Sequence, residues 1–496
     1  MNRLNPFLNF LFIGVILSIL FSSGQIENPD THLRLTQARI LLENGKLGIP
    51  KDVGEDSHGN IAINQDGERF MVYNLGQTAI FIPIYLLATL TSDNEGNIYY
   101  NAAFIVSFIN LIIHALCCLL LYKIAILLGA TKFKSYFVAL VFCLTSYSFS
   151  FAQSTYEHHF EMFFILLSYY YILSTNTRQS GLLAGIAITL GLIFRSTSIL
   201  AIPGLLFLAT NKQRLYFTFS TIPGILIILG YNYFRFGNPF ESGYNIAWQL
   251  THGNDIKFWS LSKIPQSLYG LLFSPAKGLI FFSPTIILSF FAFKIFWQKH
   301  TRITLSIILL CFLYLIIFSM NFAWHGSIWS FGPRYILPIL PLLYLPIIEI
   351  KIKNWFYHIL VIAFLSQVLL MSVNYKRNLL EQTVLYNGID ENQYINDFGN
   401  IPYLVQLNQL VKIVPKNTSA TLKNYYPDSP WKRETRAGTG NQVLDYSIEK
   451  NSINFWWIRI FHLNTTFFER TLTIILLIGA ILGTYLIVRN AKPNNI

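Results

Sequence analysis

The sequence predicts an all-α polytopic membrane protein, a bundle of about twelve transmembrane helices with juxtamembrane helices and a long polar insert near the C-terminus. Three observations predict it. Of 496 residues, 53% are hydrophobic and only 12% charged, whereas soluble domains carry about a quarter charged. Apolar runs recur along nearly the whole chain, each near the roughly 20 residues that cross a bilayer core of about 30 Å. The lysines and arginines gather in alternate short loops, as the positive-inside rule requires.

The first run, Phe7 to Phe21, follows Arg3 as a signal peptide would, but Ser22-Ser23-Gly24-Gln25-Ile26 is a poor cleavage site, so the run is an uncleaved span. With the N-terminus cytoplasmic, spans fall at about 6–24, 102–122, 133–151, 158–174, 181–194 and 197–210. Six more follow at about 215–233, 279–296, 303–320, 335–350, 356–373 and 470–488. In this register Lys123, Lys132, Lys134, Arg178, Lys212, Arg214, Lys294, Lys299, Arg302, Lys351, Lys353, Arg489 and Lys492 share the cytoplasmic side, and both termini lie there. The apolar stretch Thr78 to Leu90 would invert that order if it spanned, and is therefore a juxtamembrane or re-entrant helix. The formal charge of +12 is dispersed over these loops, which makes the lipid bilayer their partner and excludes nucleic acid binding. Cys117, Cys118, Cys143 and Cys311 lie inside apolar runs as small hydrophobic residues, not as a disulfide framework.

The opposite side receives the polar segments 25–77, 235–268 and 321–334 and a large insert at 374–470. The chain thus divides into a membrane domain over 1–373, the extracytoplasmic insert over 374–470, and a last span with its tail over 471–496. The sequons at Asn417 and Asn464 match chance expectation, and Leu444 to Ile460 is too broken to assign. No internal repeat stands out, so an inverted-repeat transporter receives no support.

Ionisable residues collect at the outer ends of the spans. Asn28-Pro29-Asp30-Thr31-His32-Leu33-Arg34 opens a surface-lying amphipathic helix with Asn28 as N-cap and Gly45 as its end. There Asp30 is either a first-turn carboxylate favoured by the helix dipole or a general base at the membrane surface. Ser154-Thr155-Tyr156-Glu157-His158-His159, ending in Glu161, is either a solvated helix end or a site for acceptor, phosphate or a divalent cation held by Glu157 and His158. Arg195 interrupts an apolar stretch, where it snorkels or binds an anion. Pro275 and Gly278 break another run beside Lys277, a candidate phosphate partner or a snorkelling lysine. The loop Trp324-His325-Gly326-Ser327-Ile328-Trp329-Ser330-Phe331-Gly332-Pro333-Arg334-Tyr335 offers a guanidinium for phosphate and aromatic rings for a sugar face, or an interfacial belt. No glycine-rich nucleotide loop and no Asp-x-Asp is present, which disfavours a soluble nucleotide-sugar donor.

Three segments carry a family likeness: Leu75-Gly76-Gln77 running into Phe81-Ile82-Pro83-Ile84-Tyr85, the stretch Leu271 to Ser283, and Trp324 to Pro338. Together, across about residues 1–375, they resemble bacterial GT-C glycosyltransferases of the protein O-mannosyltransferase-like and aminoarabinose-transferase-like kind. The resemblance implies a GT-C-like bundle, a polyprenyl-phosphate sugar donor, a lipid, glycan or protein acceptor outside the cytoplasm, and inversion at the anomeric carbon. It puts the family's two acidic positions on Asp30 and Glu157, and donor-phosphate contacts on Arg334, Lys277 and Arg195. His32, Arg34, Tyr73, Gln77, His158, His159, Trp324, His325, Trp329 and Tyr335 are the further expected substrate contacts. No cofactor beyond a divalent cation is implied, and the expected location is the bacterial inner membrane. A flippase for a lipid-linked sugar, and a ligase or polymerase of whole glycans, are the rival readings.

Overall fold

The computed structural model describes residues 5–51, 53, 60–253, 258–326, 330–373, 396–399, 401–413, 453–462 and 467–491. It is an α-helical membrane protein whose only sheet among the described residues is a two-stranded hairpin. Among the described residues, four helices are long and apolar enough to cross a membrane: α4 (Glu95–Leu127), α10 (Asn211–Phe236), α15 (Thr301–Ser319) and α17 (Trp355–Ser372). Shorter apolar helices lie among them, including α1 (Pro6–Phe21), α3 (Gly76–Thr89) and α8 (Arg178–Phe194).

α1 is tied to α4 by hydroxyls, Ser18 donating to the Phe108 carbonyl and Ser22 to that of Ser107. At 33 residues, about 50 Å, α4 exceeds the bilayer core. Its first three turns carry Ile98, Tyr99, Ala102 and Val106 into a core shared with Leu35, Ala38, Phe81 and Tyr85. That platform seats α2 (Pro29–Asn44), capped by Asn28 and closed by Gly45 at φ 63°, and α3, which at 14 residues is too short to span. The hairpin of β1 (Ile61–Ile63) and β2 (Arg69–Met71) packs with Phe236 at the end of α10.

α5 (Lys132–Thr145) breaks at Ser146 and resumes as α6 (Tyr147–Ala152). After the turn at 153–157 comes α7 (His158–Ser174), matching the expected span. α8 and α10 approach closely because glycines face the contact: a Cβ on Gly185 would lie 2.4 Å from the Phe217 carbonyl oxygen, and one on Gly181 2.5 Å from that of Gln213.

Four expected spans are not continuous α-helices: 133–151 breaks at Ser146, 279–296 is a short helix and a 3-10 turn before its main helix, and two more depart further. The 197–210 stretch begins as a 3-10 turn at Ser196–Ala201 and becomes α9 (Ile202–Leu208) only afterwards. The 335–350 stretch is a chain of 3-10 turns, Arg334–Ile339 and Leu345–Glu349, around the one-turn α16 (Leu340–Leu343). Pro338, Pro341 and Pro346 explain it, because each removes a donor and crowds the preceding turn. A 3-10 turn rises about 2.0 Å per residue against about 1.5 Å for α, so the segment stays long despite its few residues.

The expected appendage at 374–470 falls largely outside the described residues, but two of its described parts are seen against the bundle. α18 (Pro402–Ile413) packs on α17, Gln406 donating to the carbonyls of Leu370 and Val373. Val373 pairs with Ile453 in an antiparallel bridge. From there α19 (Trp456–His462) lies on α1: Trp456 and Trp457 donate their indole N–H to the carbonyls of Ile19 and Leu20. α20 (Phe467–Ala491) also packs on α1, Phe12 meeting Gly483.

Candidate functional site

One turn organises the site. Thr155, at φ 61°, is the one described non-glycine residue in the left-handed region, a conformation that persists only where its surroundings over-determine it. Here four side chains do so. Asn28 donates to the Ser154 carbonyl and to Thr155 Oγ1. Thr31 and Gln77 both donate to the Thr155 carbonyl, at 3.2 and 2.7 Å. Asn110 donates to the Tyr156 carbonyl at 2.7 Å. The N-cap of α2, one residue each from its first turn and from α3, and the middle of α4 thus fix where Glu157 stands.

Glu157 is buried between two guanidinium groups: Oε2 lies 2.8 Å from Arg34 Nη2 and Oε1 2.6 Å from Arg195 Nη1. Burial pushes its carboxyl up, but the charges of Arg34 and Arg195 outweigh that and hold it below the ordinary glutamate value. Arg195 continues to Glu161, its Nε 2.9 Å from Oε2. Thr197 and Tyr314 both donate to Glu161 Oε1, at 2.6 and 2.7 Å. This chain of charges joins α2, α7, the 3-10 turn after α8, and α15.

Asp30 stands beside this chain. Its Oδ2 is 3.9 Å from Arg334 Nη1, with the two side chains 13% and 10% exposed. Burial, and next the Asp30 charge, push the Tyr73 phenol up, so it stays protonated. Arg34 lies 3.9 Å above the Tyr73 ring. Arg334 lies over the rings of Tyr156 and Tyr335 and donates to the Tyr335 hydroxyl at 3.3 Å. It runs under Gly326, where a Cβ would meet Arg334 Nε at 2.7 Å, so a side chain there would displace the guanidinium.

Buried polar atoms without a hydrogen-bond partner concentrate here: Arg34 Nη1, Arg334 Nε and Nη1, both ring nitrogens of His158, Gln77 Oε1 and the Tyr156 hydroxyl. Such atoms are costly to bury unpaired. Donors and acceptors facing one recess fit a polar ligand with an anionic part.

The expected contacts divide. Asp30, Arg34, Tyr73, Gln77, Glu157, His158, Arg195, Arg334 and Tyr335 come together. His32 does not: its Nε2 donates to the Ile26 carbonyl and its ring stacks on Tyr99, on the platform side of α2. His159 turns into the bundle, its Nε2 donating to the Ser148 carbonyl. Trp324 is fully buried, its ring filling the space over Gly270 where a Cβ would lie 1.9 Å away, so it packs in the core and presents no face to a sugar. His325 meets that ring edge-on. Lys277 is fully buried and donates to the Ser330 carbonyl. Trp329 lies outside the described residues. α2 differs from a helix lying on a surface, since Arg34 and Gln37 are buried with Leu35 and Ala38.

Glu157 with His158 fits a divalent cation poorly, because both carboxylate oxygens already face guanidinium groups and more positive charge would be repelled. His114, Cys118 and Cys143 do place donor atoms within 4.8 Å of one another, deep between α4 and α5. Yet His114 Nε2 already donates to the Cys143 carbonyl and Nδ1 contacts Ser148 Oγ. Tyr156, Glu161, Thr197 and Tyr314 complete the site without being among the contacts the sequence singles out. Glu161, one turn after Glu157, carried a signal; Tyr314, inside an apolar run, carried none.

Comparison with protein-family models, with curated proteins and with solved structures finds no match to this chain.

Proposed function

We propose that the chain is an integral-membrane glycosyltransferase that moves a sugar from a polyprenyl-phosphate donor to a hydroxyl of an extracytoplasmic acceptor, with inversion at the anomeric carbon. One juxtaposition carries the reading: Asp30 stands 3.9 Å from Arg334, beside arginine donors that lack partners. A base and a phosphate clamp within one recess are what this transfer needs.

In the proposed reaction the acceptor oxygen attacks the anomeric carbon and its proton passes to the Asp30 carboxylate. The bond from that carbon to the phosphate oxygen breaks, its electron pair leaving on polyprenyl phosphate, and Arg334 and the unpaired edge of Arg34 meet the developing charge. Glu157 is a positioning residue, since its two oxygens hold Arg34 and Arg195. Tyr335 and His158 flank the sugar. The reading carries with it a GT-C-like bundle of about twelve spans, cytoplasmic termini, and a site on the outer face of a bacterial inner membrane.

The test is transfer of labelled sugar from a panel of polyprenyl-phosphate sugars into membrane extract by the purified chain and by Asp30→Asn. Label entering product with the wild type alone supports the reading and names the donor. Equal transfer by the variant reduces Asp30 to a helix-end residue. No transfer from any donor, with donor lipid crossing liposomes, makes the chain a transporter.

A further inference from the structure

Away from the arginine recess, soft donor groups gather inside the bundle. His114 and Cys118 on α4 and Cys143 in the last turn of α5 each place one ligand atom within 4.8 Å of the other two, and all three residues are fully buried. Among the described residues no other three histidine, cysteine or acidic side chains meet so closely. Cys118 follows His114 by four residues, so both lie on one face of α4 and α5 supplies the third donor. Donors about 2.0–2.3 Å from a metal stand roughly 3.5–4 Å apart, so an inward movement of at most about 1 Å closes the set.

The imidazole has one bond to give and one to keep. Its Nε2 is bonded to the Cys143 carbonyl at 2.9 Å, and its Nδ1 is 3.0 Å from Ser148 Oγ. A metal-binding histidine offers one nitrogen to the ion and keeps a hydrogen bond at the other, which fixes the ring and its tautomer. A Ser148 hydroxyl freed from His114 retains a partner in His159 Nε2, 3.2 Å away. The His159 ring meets that of His114 edge-on, and its Nδ1 is buried without a hydrogen-bond partner, a further nitrogen donor beside the set. Thiolate and imidazole select zinc or monovalent copper, and offer nothing to magnesium or calcium, which take oxygen ligands. Charge also balances: two thiols that release their protons as one Zn²⁺ enters, or one thiol as one Cu⁺ enters, leave the charge of this apolar interior unchanged.

We propose that His114, Cys118 and Cys143 bind one thiophilic metal ion, Zn²⁺ or Cu⁺, as a structural clamp between α4 and α5. Asn110, one turn before His114 on α4, holds the Tyr156 carbonyl, and Ser148 belongs to α6, which leads into the same turn. The clamp therefore stands behind the turn that carries Glu157 and steadies it without touching the arginine recess.

The experiment measures metal per chain by mass spectrometry in the full chain, purified without a histidine tag from cells supplied with zinc, copper or magnesium. One ion of zinc or copper per chain is expected, and no retained magnesium. The double variant Cys118→Ser with Cys143→Ser is expected to lose the ion and to melt at a lower temperature, while Cys311→Ser on α15 keeps it. If the double variant does not fold, X-ray absorption by the wild type decides. A shell with two sulfurs at about 2.3 Å and nitrogen at about 2.0 Å supports the clamp, and a shell of nitrogen and oxygen alone overturns it. A wild type that purifies with neither zinc nor copper, or a folded double variant with unchanged metal content, also overturns it.

Discussion

Asp30 and Glu157 are both carboxylates, and their surroundings give them different work. Asp30 faces Arg334 at 3.9 Å and the Tyr73 phenol, with no guanidinium as close as those on Glu157. Asp30→Asn is expected to lower turnover about 10²–10⁴-fold with the unfolding midpoint kept, as steady-state rates beside thermal melts would record. Glu157 is pinned at 2.6 and 2.8 Å, and Glu157→Gln takes the carboxylate from buried Arg34 and leaves Arg195 with Glu161 alone, a loss of about 3–5 kcal/mol. Its pH dependence follows from the direction of its shift. The folded carboxyl lies below the ordinary glutamate value, so its stabilisation is complete above about pH 4.3 and is lost as pH falls through the lowered folded value. Melting temperature against pH should carry that step in the wild type and lack it in Glu157→Gln; a step of equal size in both would assign it to another group. Residue identity made the recess legible, since charges at the ends of apolar runs are rarely idle. Identity could not give rotation: His32 and Arg34 are two residues apart on α2 and so face different sides, one bonded to Ile26 and the other to Glu157.

Elements were legible where local chemistry decides them. α2 begins at Asn28 and ends at Gly45 as its cap and left-handed terminator dictate. The segment from Arg334 to Glu349 was not, because apolar content marks a crossing whatever its backbone; its three prolines marked the departure from α geometry. The turn at Thr155 left no trace in the sequence, since its conformation is imposed by Asn28, Thr31, Gln77 and Asn110 from elsewhere in the chain. The pairing of α8 with α10 depends on small residues. Gly185→Val would set a Cβ 2.0 Å from Ser220 Oγ and 2.4 Å from a backbone oxygen. Because the backbone cannot yield as a side chain does, a loss of about 3 kcal/mol is expected, read as a lower midpoint in detergent. An unchanged midpoint would mean that the two helices are not held at this spacing.

At the scale of the molecule, the membrane character was legible from composition and the spacing of apolar runs, because every crossing must satisfy its backbone internally. The docking of the insert's ends was not, since it depends on contacts hundreds of residues apart, such as Asn454 donating to Gln153 at 3.0 Å. The bridge between Val373 and Ile453 sets two chain positions about 5 Å apart with about eighty residues between them. Replacing residues 414–452 with a flexible Gly-Ser linker, which keeps α18 on α17, should therefore leave a chain that still inserts and folds, as protease resistance in membranes would report; wholesale degradation would mean that the deleted residues hold the bundle together. The same geometry bears on how such a chain can change over generations. Closing a loop costs only about 0.6 kcal/mol more for each doubling of its length, so beyond the packing of α18 the bundle is nearly indifferent to how much polypeptide is carried between those two anchor points. Val373 and Ile453 form a socket in which the sequence on either side of α18 can be exchanged while the arginine recess stays as it is.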